Sequence, residues 1–180
     1  LVSFYRLSTK VYDSMVAVRK EVEMLDAYMS LMCYRYSDII YRSEIEPGAL
    51  DIEIPNFILQ PLLENSLMHG LKDRRYQGTI ILKIDRNEQD KNELNIWLID
   101  DGIGIPDDKM AELNAYNAKD SEALYRVQTR TEGDRTHLGV INVISRLKLY
   151  YQENAEVIYM RNETGGTTVK IKIKTASEET

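Results

Sequence analysis

The chain has 180 residues, of which 43% are hydrophobic and 29% charged, and its formal net charge is -6. These values are ordinary for a globular domain with a real core, and the acidic balance does not suggest a nucleic-acid partner. Two histidines leave little room for a histidine metal cluster, and the single cysteine, Cys33, excludes a disulfide framework. No run approaches the ~20 apolar residues of a membrane span. Because the sequence opens on Leu1 in mid-pattern, we expect a fragment of a longer intracellular protein.

Helical spacing of apolar residues dominates the first 36 positions. A short stripe covers residues 1–12, and a longer one predicts a helix with one buried face. The longer stripe consists of Val18, Val22, Leu25, Met29, Met32 and Tyr36. We expect the methionines and tyrosines of this region to be core residues rather than contacts of a cofactor.

Alternation of apolar and polar residues predicts five strands. Residues 38–46 are expected to form the first, with Ile40 and Ile45 in the core and the proline and glycine at positions 47 and 48 ending it. The other four are expected to form two hairpins, of residues 79–85 with 94–99 and of residues 157–160 with 168–173.

A proline-containing helical segment is predicted between the first strand and the first hairpin. Pro55 is expected to open it and Gly70 to end it, because proline suits the first helical position and glycine the residue after the last. Pro61 lies inside the segment and predicts either two short helices or a kink, since it removes a backbone donor.

A polar stretch separates the two hairpins. A short helix with Met110 and Leu113 comes first, and residues 114–136 then show no sustained period. A stretch of that length inside a compact domain is typically a functional lid or disorder. The apolar face of another helix follows, made of Val140, Val143, Ile144, Leu147, Tyr150 and Tyr151. The order of elements predicts an α+β fold, a mostly antiparallel sheet with helices on one face.

The first motif that can carry chemistry is Asp-x-Gly-x-Gly at residues 100–104, directly after a predicted strand. The Asp100 carboxylate offers an acceptor to an amino group of a ligand, and glycines at positions 102 and 104 let the backbone approach that ligand. The alternative is a surface Asp-Gly turn that leaves the strand.

The second motif is Glu64-Asn65 followed by His69, on the predicted helix. Helical spacing places these side chains along the edge of a face whose core side carries Leu63 and Leu67. An amide oxygen suits Mg²⁺, which needs few protein ligands when phosphates supply the others. The alternative is a structural asparagine bonded to backbone and a histidine at a helix end.

Two glycine motifs are weaker signals. Gly139 stands near the head of a predicted helix, where unpaired backbone N–H groups and the helix dipole attract phosphate. Gly165-Gly166-Thr167 turns into the last strand, and it can be either a plain hairpin turn or a place where Thr167 meets a ligand.

Together, the four motifs occur in the order seen in the GHKL ATP-binding superfamily. The chain resembles more closely the LytS/YesM-like branch of two-component sensor histidine kinases. That similarity covers nearly the whole chain and includes residues 54–65 (IPNFILQPLLEN), residues 21–28 (EVEMLDAY) with Arg35 beyond them, and residues 142–147 (NVISRL).

The resemblance implies a role for each site residue. ATP and Mg²⁺ are the expected ligands, with Asn65 on the metal and Glu64 assisting phosphoryl transfer by polarising the acceptor or a magnesium-bound water. Asp100 is expected to accept from the adenine amino group, and Thr167 to support it through a hydroxyl and a water. The remaining nucleotide-binding residues are expected to be His69, Gly102, Gly104, Ile105 and Gly139.

Three positions depart from the family pattern. Many relatives carry a lysine where Met68 stands, so one phosphate contact is either missing or supplied by Lys72 or an arginine of the lid. His137 occupies a place that is often glycine. The acceptor histidine of this branch lies in an upstream Pro-His-Phe-type segment that the chain lacks, and neither His69 nor His137 matches it.

The resemblance implies the two-layer α/β sandwich of GHKL ATPases over residues 17–180, with an ATP lid at about 107–136. Residues 1–16 are expected to be the tail of a helical dimerisation and phosphoacceptor region. The expected function is transfer of the γ-phosphate of ATP to a histidine on that upstream region, from which a response regulator collects it. We expect a homodimer in the full-length protein and a cytoplasmic domain of a bacterial inner-membrane sensor.

Two other functions use the same kind of pocket. An anti-sigma-factor-type serine kinase would phosphorylate a separate protein on serine. A degenerate nucleotide-binding module would serve only as a surface for an interaction partner. The sequence upstream of the chain, or the residue that becomes phosphorylated, distinguishes these from the histidine kinase.

Overall fold

A five-stranded sheet forms the centre of the computed structural model, which describes residues 14–119, 123–124 and 135–175. Its strand order is β2-β4-β5-β7-β6, and a separate two-stranded sheet joins β1 to β3. The strands are β1 Met15–Ala17, β2 Ile39–Ile45, β3 Glu53–Pro55, β4 Gly78–Arg86, β5 Glu93–Asp100, β6 Ala155–Arg161 and β7 Thr167–Lys174. Strands β2 and β4 are parallel, and the other neighbours in the large sheet are antiparallel. The predicted mixed, mostly antiparallel sheet is confirmed.

In the described ranges, four α-helices lie against one face of this sheet. They are α1 Val18–Arg35, α2 Leu59–Asn65, α3 Asp107–Ala115 and α4 Arg135–Tyr151. Helix α2 continues as a π-helical turn, Ser66–Leu71. Short 3-10 turns are formed by Pro47–Ala49, Lys72–Arg74, Tyr116–Ala118 and Gln152–Asn154. No helix in the described part of the chain is long and apolar enough to cross a membrane.

The two faces of the sheet differ in chemistry. Alternate residues of three central strands are buried against the helices: Ile80, Leu82 and Ile84, Leu94, Ile96 and Leu98, and Val169, Ile171 and Ile173. On the opposite face Trp97 lies between the ammonium groups of Lys83 and Lys170, 5.0 and 5.1 Å from its ring centre. The predicted alternation of buried and solvated residues in the last strand is confirmed, and the helices cover one side only.

The first predicted strand is present, but one of its two predicted core residues, Ile40, is wrong. Ile39 is 5% exposed and Ile40 is 51% exposed, so Ile39 rather than Ile40 belongs to the core. Ile45 is half-buried and shares the inward face with Ile39. Because the side-chain period of a strand is two, a shift of one residue moves a side chain to the other face.

The prediction that Pro55 opens a helix is wrong. Pro55 ends β3 and pairs with Met15 of β1. Helix α2 begins at Leu59, after Phe57 has taken a left-handed conformation with φ of 58°. Pro61 therefore lies in the first helical turn, where a missing N–H leaves no intrahelical bond unmade, and it neither kinks nor divides the helix.

Gly70 does not end the helix as predicted. It lies inside the π-helical turn, and the chain reverses only at Arg75, where φ is 56°. The reason for a glycine here is steric. A Cβ on Gly70 would lie 3.1 Å from Oδ1 of Asp100. Gly70 instead allows the helical turn and the end of β5 to pack closely.

The predicted lid begins with ordered structure. Helix α3 and the 3-10 turn after it are tied to β6, since the Asn114 amide exchanges two hydrogen bonds with the backbone of Tyr159, at 2.9 and 2.8 Å. The rest of the predicted lid lies outside the described residues, apart from Ala123 and Leu124 and the start of α4. The predicted helical stripe at residues 1–12 also lies outside them, and the proposed boundary near residue 17 stays a prediction.

Candidate nucleotide-binding site

A cleft of about 940 Å³ opens between α2 with its π-helical turn, the end of β5, and α3. Seven of the nine predicted site residues line it: Glu64, Asn65, His69, Asp100, Gly104, Ile105 and Thr167. Gly102 and Gly139 are the sequence neighbours of the lining residues Ile103 and Val140. Residues from four separate parts of the sequence thus meet at one cleft, and their roles in binding a nucleotide stay predictions.

Asp100 is the best-defined group of the cleft, at the last position of β5 and only 2% exposed. Its Oδ1 accepts hydrogen bonds from the backbone N–H groups of Gly102 and Thr167, at 3.0 and 3.2 Å. Its Oδ2 accepts one from the hydroxyl of Ser66 at 2.9 Å. Burial raises the pKa of Asp100, and these three donors act against that rise. A carboxylate so placed has acceptor capacity left on Oδ2 for an amino group in the cleft.

The predicted surface turn after Asp100 is a tightly packed loop. A Cβ on Gly102 would lie 2.5 Å from the carbonyl oxygen of Gly70, so only glycine fits there. Gly104 has φ of +75°, a conformation that residues with a side chain rarely adopt. These two requirements explain the spacing of the glycines without a ligand, and they also bring the loop backbone to the wall of the cleft.

Thr167 contacts Asp100 through its backbone. The N–H of Thr167 donates to Oδ1 of Asp100, and the expected support through its hydroxyl and a water stays a prediction. The preceding glycines form the hairpin turn that the alternative described, since Gly165 donates to the Asn162 carbonyl at 3.0 Å and has φ of +85°. The motif is therefore both a turn and a support for the site.

Glu64 and Asn65 also line the cleft, at the C-terminal end of α2, and both are half-buried. Leu63 and Leu67 are fully buried, as predicted. Oε1 of Glu64 accepts a hydrogen bond from Nε2 of Gln60, one helical turn earlier, at 2.9 Å. This bond fixes one carboxylate oxygen and leaves the other available to the cleft.

The side chains around Asn65 suit a metal ion whose ligands come partly from the protein and partly from a bound nucleotide. Among the described residues there is no group of three or more His, Cys, Asp or Glu side chains that could hold a metal ion. Asn65 lines the cleft, and a single amide oxygen is the kind of ligand that Mg²⁺ uses when nucleotide phosphates supply most of its shell. The residues present therefore fit a metal that arrives with a nucleotide.

Two lysines lie on the wall of the cleft. Lys72 and Lys109 line the cleft, and Met68 is 45% exposed with its sulfur 3.7 Å from the Tyr76 hydroxyl. Gly139 is the fifth residue of α4, which begins at Arg135, and a Cβ on Gly139 would lie 3.6 Å from Cβ of Pro61. The chain before α4 lies outside the described residues, so contact of that helix with phosphate stays a prediction.

Two residues that shape the site were missed by the sequence analysis. Ser66 bonds to the Asp100 carboxylate, and the side-chain amide of Asn162 donates to the Asp100 carbonyl at 2.8 Å. Ser66 had a usable signal, because its spacing from Leu62, Leu63 and Leu67 places a hydroxyl on the buried helix face, where it needs a partner. Asn162 had none, because its contact depends on how the last hairpin folds back.

The chain is similar to known ATPases and sensor proteins. The family model of histidine kinase-, DNA gyrase B-, and HSP90-like ATPases matches residues 51–177. Sensor protein LytS of Oceanobacillus iheyensis is 33% identical over 172 residues, which make up 94% of this chain and 27% of that protein. The chain thus spans about a quarter of the length of this relative.

Solved histidine kinase structures share the fold at low sequence identity. The catalytic domain of histidine kinase ThkA is 12% identical with a TM-score of 0.63, over 91% of this chain and 98% of that one. The histidine kinase domain of a blue-light activated kinase from Erythrobacter litoralis is 19% identical with a TM-score of 0.54, over 88% and 61%. The predicted GHKL fold is confirmed. The chain belongs to the histidine kinase-, DNA gyrase B- and HSP90-like ATPase family, as a histidine kinase-type ATPase domain homologous to the LytS sensor proteins.

Proposed function

We propose that this domain binds Mg-ATP in the cleft and donates the γ-phosphate to a histidine on a preceding helical segment of a longer sensor kinase. The observation that carries the proposal is the buried Asp100 carboxylate in the same cleft as Glu64 and Asn65. Family membership and the similarity to LytS support the same function.

Asp100 is the adenine-recognising group of this proposal, and we call the part of the cleft around it the adenine end. Its Oδ1 is already held by two backbone donors, so the carboxylate cannot rotate freely. Oδ2 accepts from the adenine amino group, whereas guanine presents a carbonyl oxygen at the corresponding position. A buried acceptor that faces another acceptor costs roughly 1–3 kcal/mol. The domain therefore prefers adenine nucleotides.

We assign Asn65, Glu64 and the neighbouring cations to the phosphates, and we call this part of the cleft the phosphate end. Asn65 would hold Mg²⁺, which neutralises charge on the phosphate oxygens when it is bound. Glu64, fixed by Gln60, polarises the acceptor or a magnesium-bound water. Lys72 is positioned on the cleft wall to supply the phosphate contact that Met68 cannot make. Phosphoryl transfer depends mainly on positioning and charge neutralisation, which such a site can provide.

The rest of the kinase belongs to the longer protein. The acceptor histidine lies on the preceding helices, the full-length protein is a homodimer, and a response regulator takes the phosphoryl group. The domain works on the cytoplasmic side of a bacterial membrane sensor. These statements rest on the similarity to LytS, of which the chain covers about a quarter.

Transfer of label from γ-labelled ATP tests the proposal. The chain alone is expected to bind ATP without labelling itself, and to label a protein that carries the preceding helices. The label should be lost in acid and survive base, as expected for phosphohistidine. Glu64→Gln should abolish transfer while Glu88→Gln, an exposed glutamate in the β4–β5 turn, should not.

Three outcomes would contradict the proposal. Label on His69 or His137 of the isolated chain would reassign the acceptor. Acid-stable label on serine of another protein would indicate an anti-sigma-type kinase. Nucleotide binding with no transfer to the complete protein would indicate a degenerate binding module.

A further inference from the structure

The turn that leads into α2 is held by a carboxylate from a different helix. Glu21 lies in the first turn of α1 and is fully buried. Its Oε1 accepts from the backbone N–H of Phe57 at 2.7 Å, and its Oε2 accepts from those of Ile58 and Leu59, each at 3.2 Å. Three consecutive backbone donors thus converge on one side chain that is 36 or more positions away in the sequence.

The backbone of this turn is shaped to receive that carboxylate. Phe57 has φ of 58°, which only a few per cent of residues with a side chain adopt and which costs free energy. The conformation aims successive N–H groups to one side, as in an anion-binding nest. Ile58 precedes the helix without a side-chain cap of its own, so Glu21 performs the capping from a distance.

Helix α4 joins the same cluster. Nη1 of Arg146 donates to the carbonyl oxygen of Asn56 at 2.5 Å, directly before the turn. The positive charge of Arg146 also favours the ionised form of Glu21, against the burial that raises its pKa. The pairing of β1 with β3 adds a further tie, because it fixes the chain before α1 to the chain before the turn. Three elements therefore meet where α2 starts.

We propose that Glu21 is a positioning residue for Glu64 and Asn65. Helix α2 is held at its start by Glu21 and beyond its end by the bond from Ser66 to Asp100. Loss of the hydrogen bonds to Glu21 leaves the adenine end of the cleft in place, but it lets the helix that carries Glu64 and Asn65 shift. This inference rests on the proposed function, since it assigns Glu21 to the phosphate end of the same site.

The test compares two ligands on one chain. Glu21→Gln keeps the size of the side chain, but its amide N–H₂ group cannot accept from the backbone donors. We expect Mg-ATP affinity to fall about ten-fold, in line with the loss of one hydrogen bond to a charged group, while adenosine affinity changes little. Glu23→Gln, an exposed glutamate on the same helix, is the matched control and should leave both affinities unchanged.

The ratio of the two affinities separates positioning from a purely structural role. If Glu21→Gln lowers the melting temperature but leaves the ratio of Mg-ATP to adenosine affinity as in the wild-type chain, the inference is overturned. If the variant does not fold, Arg146→Gln replaces it, because it keeps the Glu21 carboxylate and removes the neighbouring cation. A decrease of the ratio by about three-fold is expected for Arg146→Gln, and an unchanged ratio overturns the inference.

Failure of the proposed function gives a different pattern. A wild-type chain that binds neither adenosine nor Mg-ATP would overturn the proposed function and this inference together. A wild-type chain that binds both ligands, with a normal ratio in the variants, would overturn the positioning role of Glu21 alone.

Discussion

The hydroxyl of Ser66 donates to Oδ2 of Asp100 over 2.9 Å, which joins the first residue after α2 to the last residue of β5. Both side chains are buried, Ser66 at 5% exposure and Asp100 at 2%. The bond sets the distance between the adenine end of the cleft and the helix that carries Glu64 and Asn65. It also uses one acceptor site of the oxygen that we assign to the adenine amino group.

Ser66→Ala should weaken adenosine binding without unfolding the domain. The hydroxyl contributes one hydrogen bond to a buried carboxylate, so its loss is expected to cost roughly 0.5–1.5 kcal/mol, or about two- to twelve-fold in affinity. Isothermal titration calorimetry with adenosine measures this directly. Ser43→Ala, at an exposed serine of β2, is the control. Unchanged adenosine affinity in Ser66→Ala would show that the bond does not orient Asp100 for a ligand.

Adenosine affinity should depend on pH through Asp100. Burial raises the pKa of this carboxyl above its ordinary value of 3.8. Only the ionised form accepts freely on Oδ2, so affinity should be full at neutral pH and fall as the pH drops through the raised pKa. Calorimetry between neutral pH and the onset of acid unfolding gives the profile. Ser66→Ala removes a donor that lowers the pKa of Asp100. As the pH is lowered, the adenosine affinity of this variant should therefore begin to fall at a higher pH than that of the wild-type chain.

ATP should bind at least about ten-fold more tightly than GTP, because a guanine carbonyl would face the Asp100 carboxylate at a cost of roughly 1–3 kcal/mol. Asp100→Asn should weaken ATP binding and flatten the pH profile, since an amide does not titrate in this range. Competition between the two nucleotides in a single assay provides the measurement. Asp108→Asn, at an exposed position of α3, should behave like the wild-type chain. Equal affinity for ATP and GTP would remove Asp100 from base recognition.

The sequence was sufficient for the large sheet because its strands carry a clear period of two. Leu94, Ile96 and Leu98 alternate with more polar residues and are buried as expected. Asp100 was identifiable because it ends a predicted strand directly before two glycines, in a motif order that resembles a known family. Both signals are local, and a local pattern can be recognised in a single sequence.

Features that depend on contacts between distant segments were not predicted. The short strand β3 exists because it pairs with β1, and nothing in Glu53-Ile54-Pro55 alone favours a strand over a helix start. Ser66, Asn162 and Glu21 act on partners that lie 34, 62 and at least 36 positions away. Helical spacing can show that Ser66 is buried and needs a partner, but a single sequence does not identify the distant partner of any of these residues.

Gly102→Ala should destabilise the domain, because the new Cβ would lie 2.5 Å from the Gly70 carbonyl, where backbone meets backbone and neither side can yield cheaply. Overpacking of this kind typically costs about 1–3 kcal/mol, which denaturant unfolding followed by circular dichroism can resolve. Gly48→Ala is the matched control, since its nearest neighbour would be the Glu46 carboxylate at 3.6 Å, an ordinary contact. Equal stability of the two variants would mean that the loop after β5 can move away from the π-helical turn.

The last prediction concerns the metal. Asn65→Ala should lose the part of ATP affinity that depends on magnesium and keep adenosine affinity, because we assign the Asn65 amide to the metal and the Asp100 carboxylate to adenine, and both residues line the same cleft. Binding of ATP, measured with magnesium and with a chelator, gives the difference. Asn65→Asp should retain magnesium dependence, since a carboxylate oxygen also suits this ion. If Asn65→Ala and the wild-type chain gain equally from magnesium, the metal is held by phosphates and water alone, and Asn65 then serves the structure of the helix end.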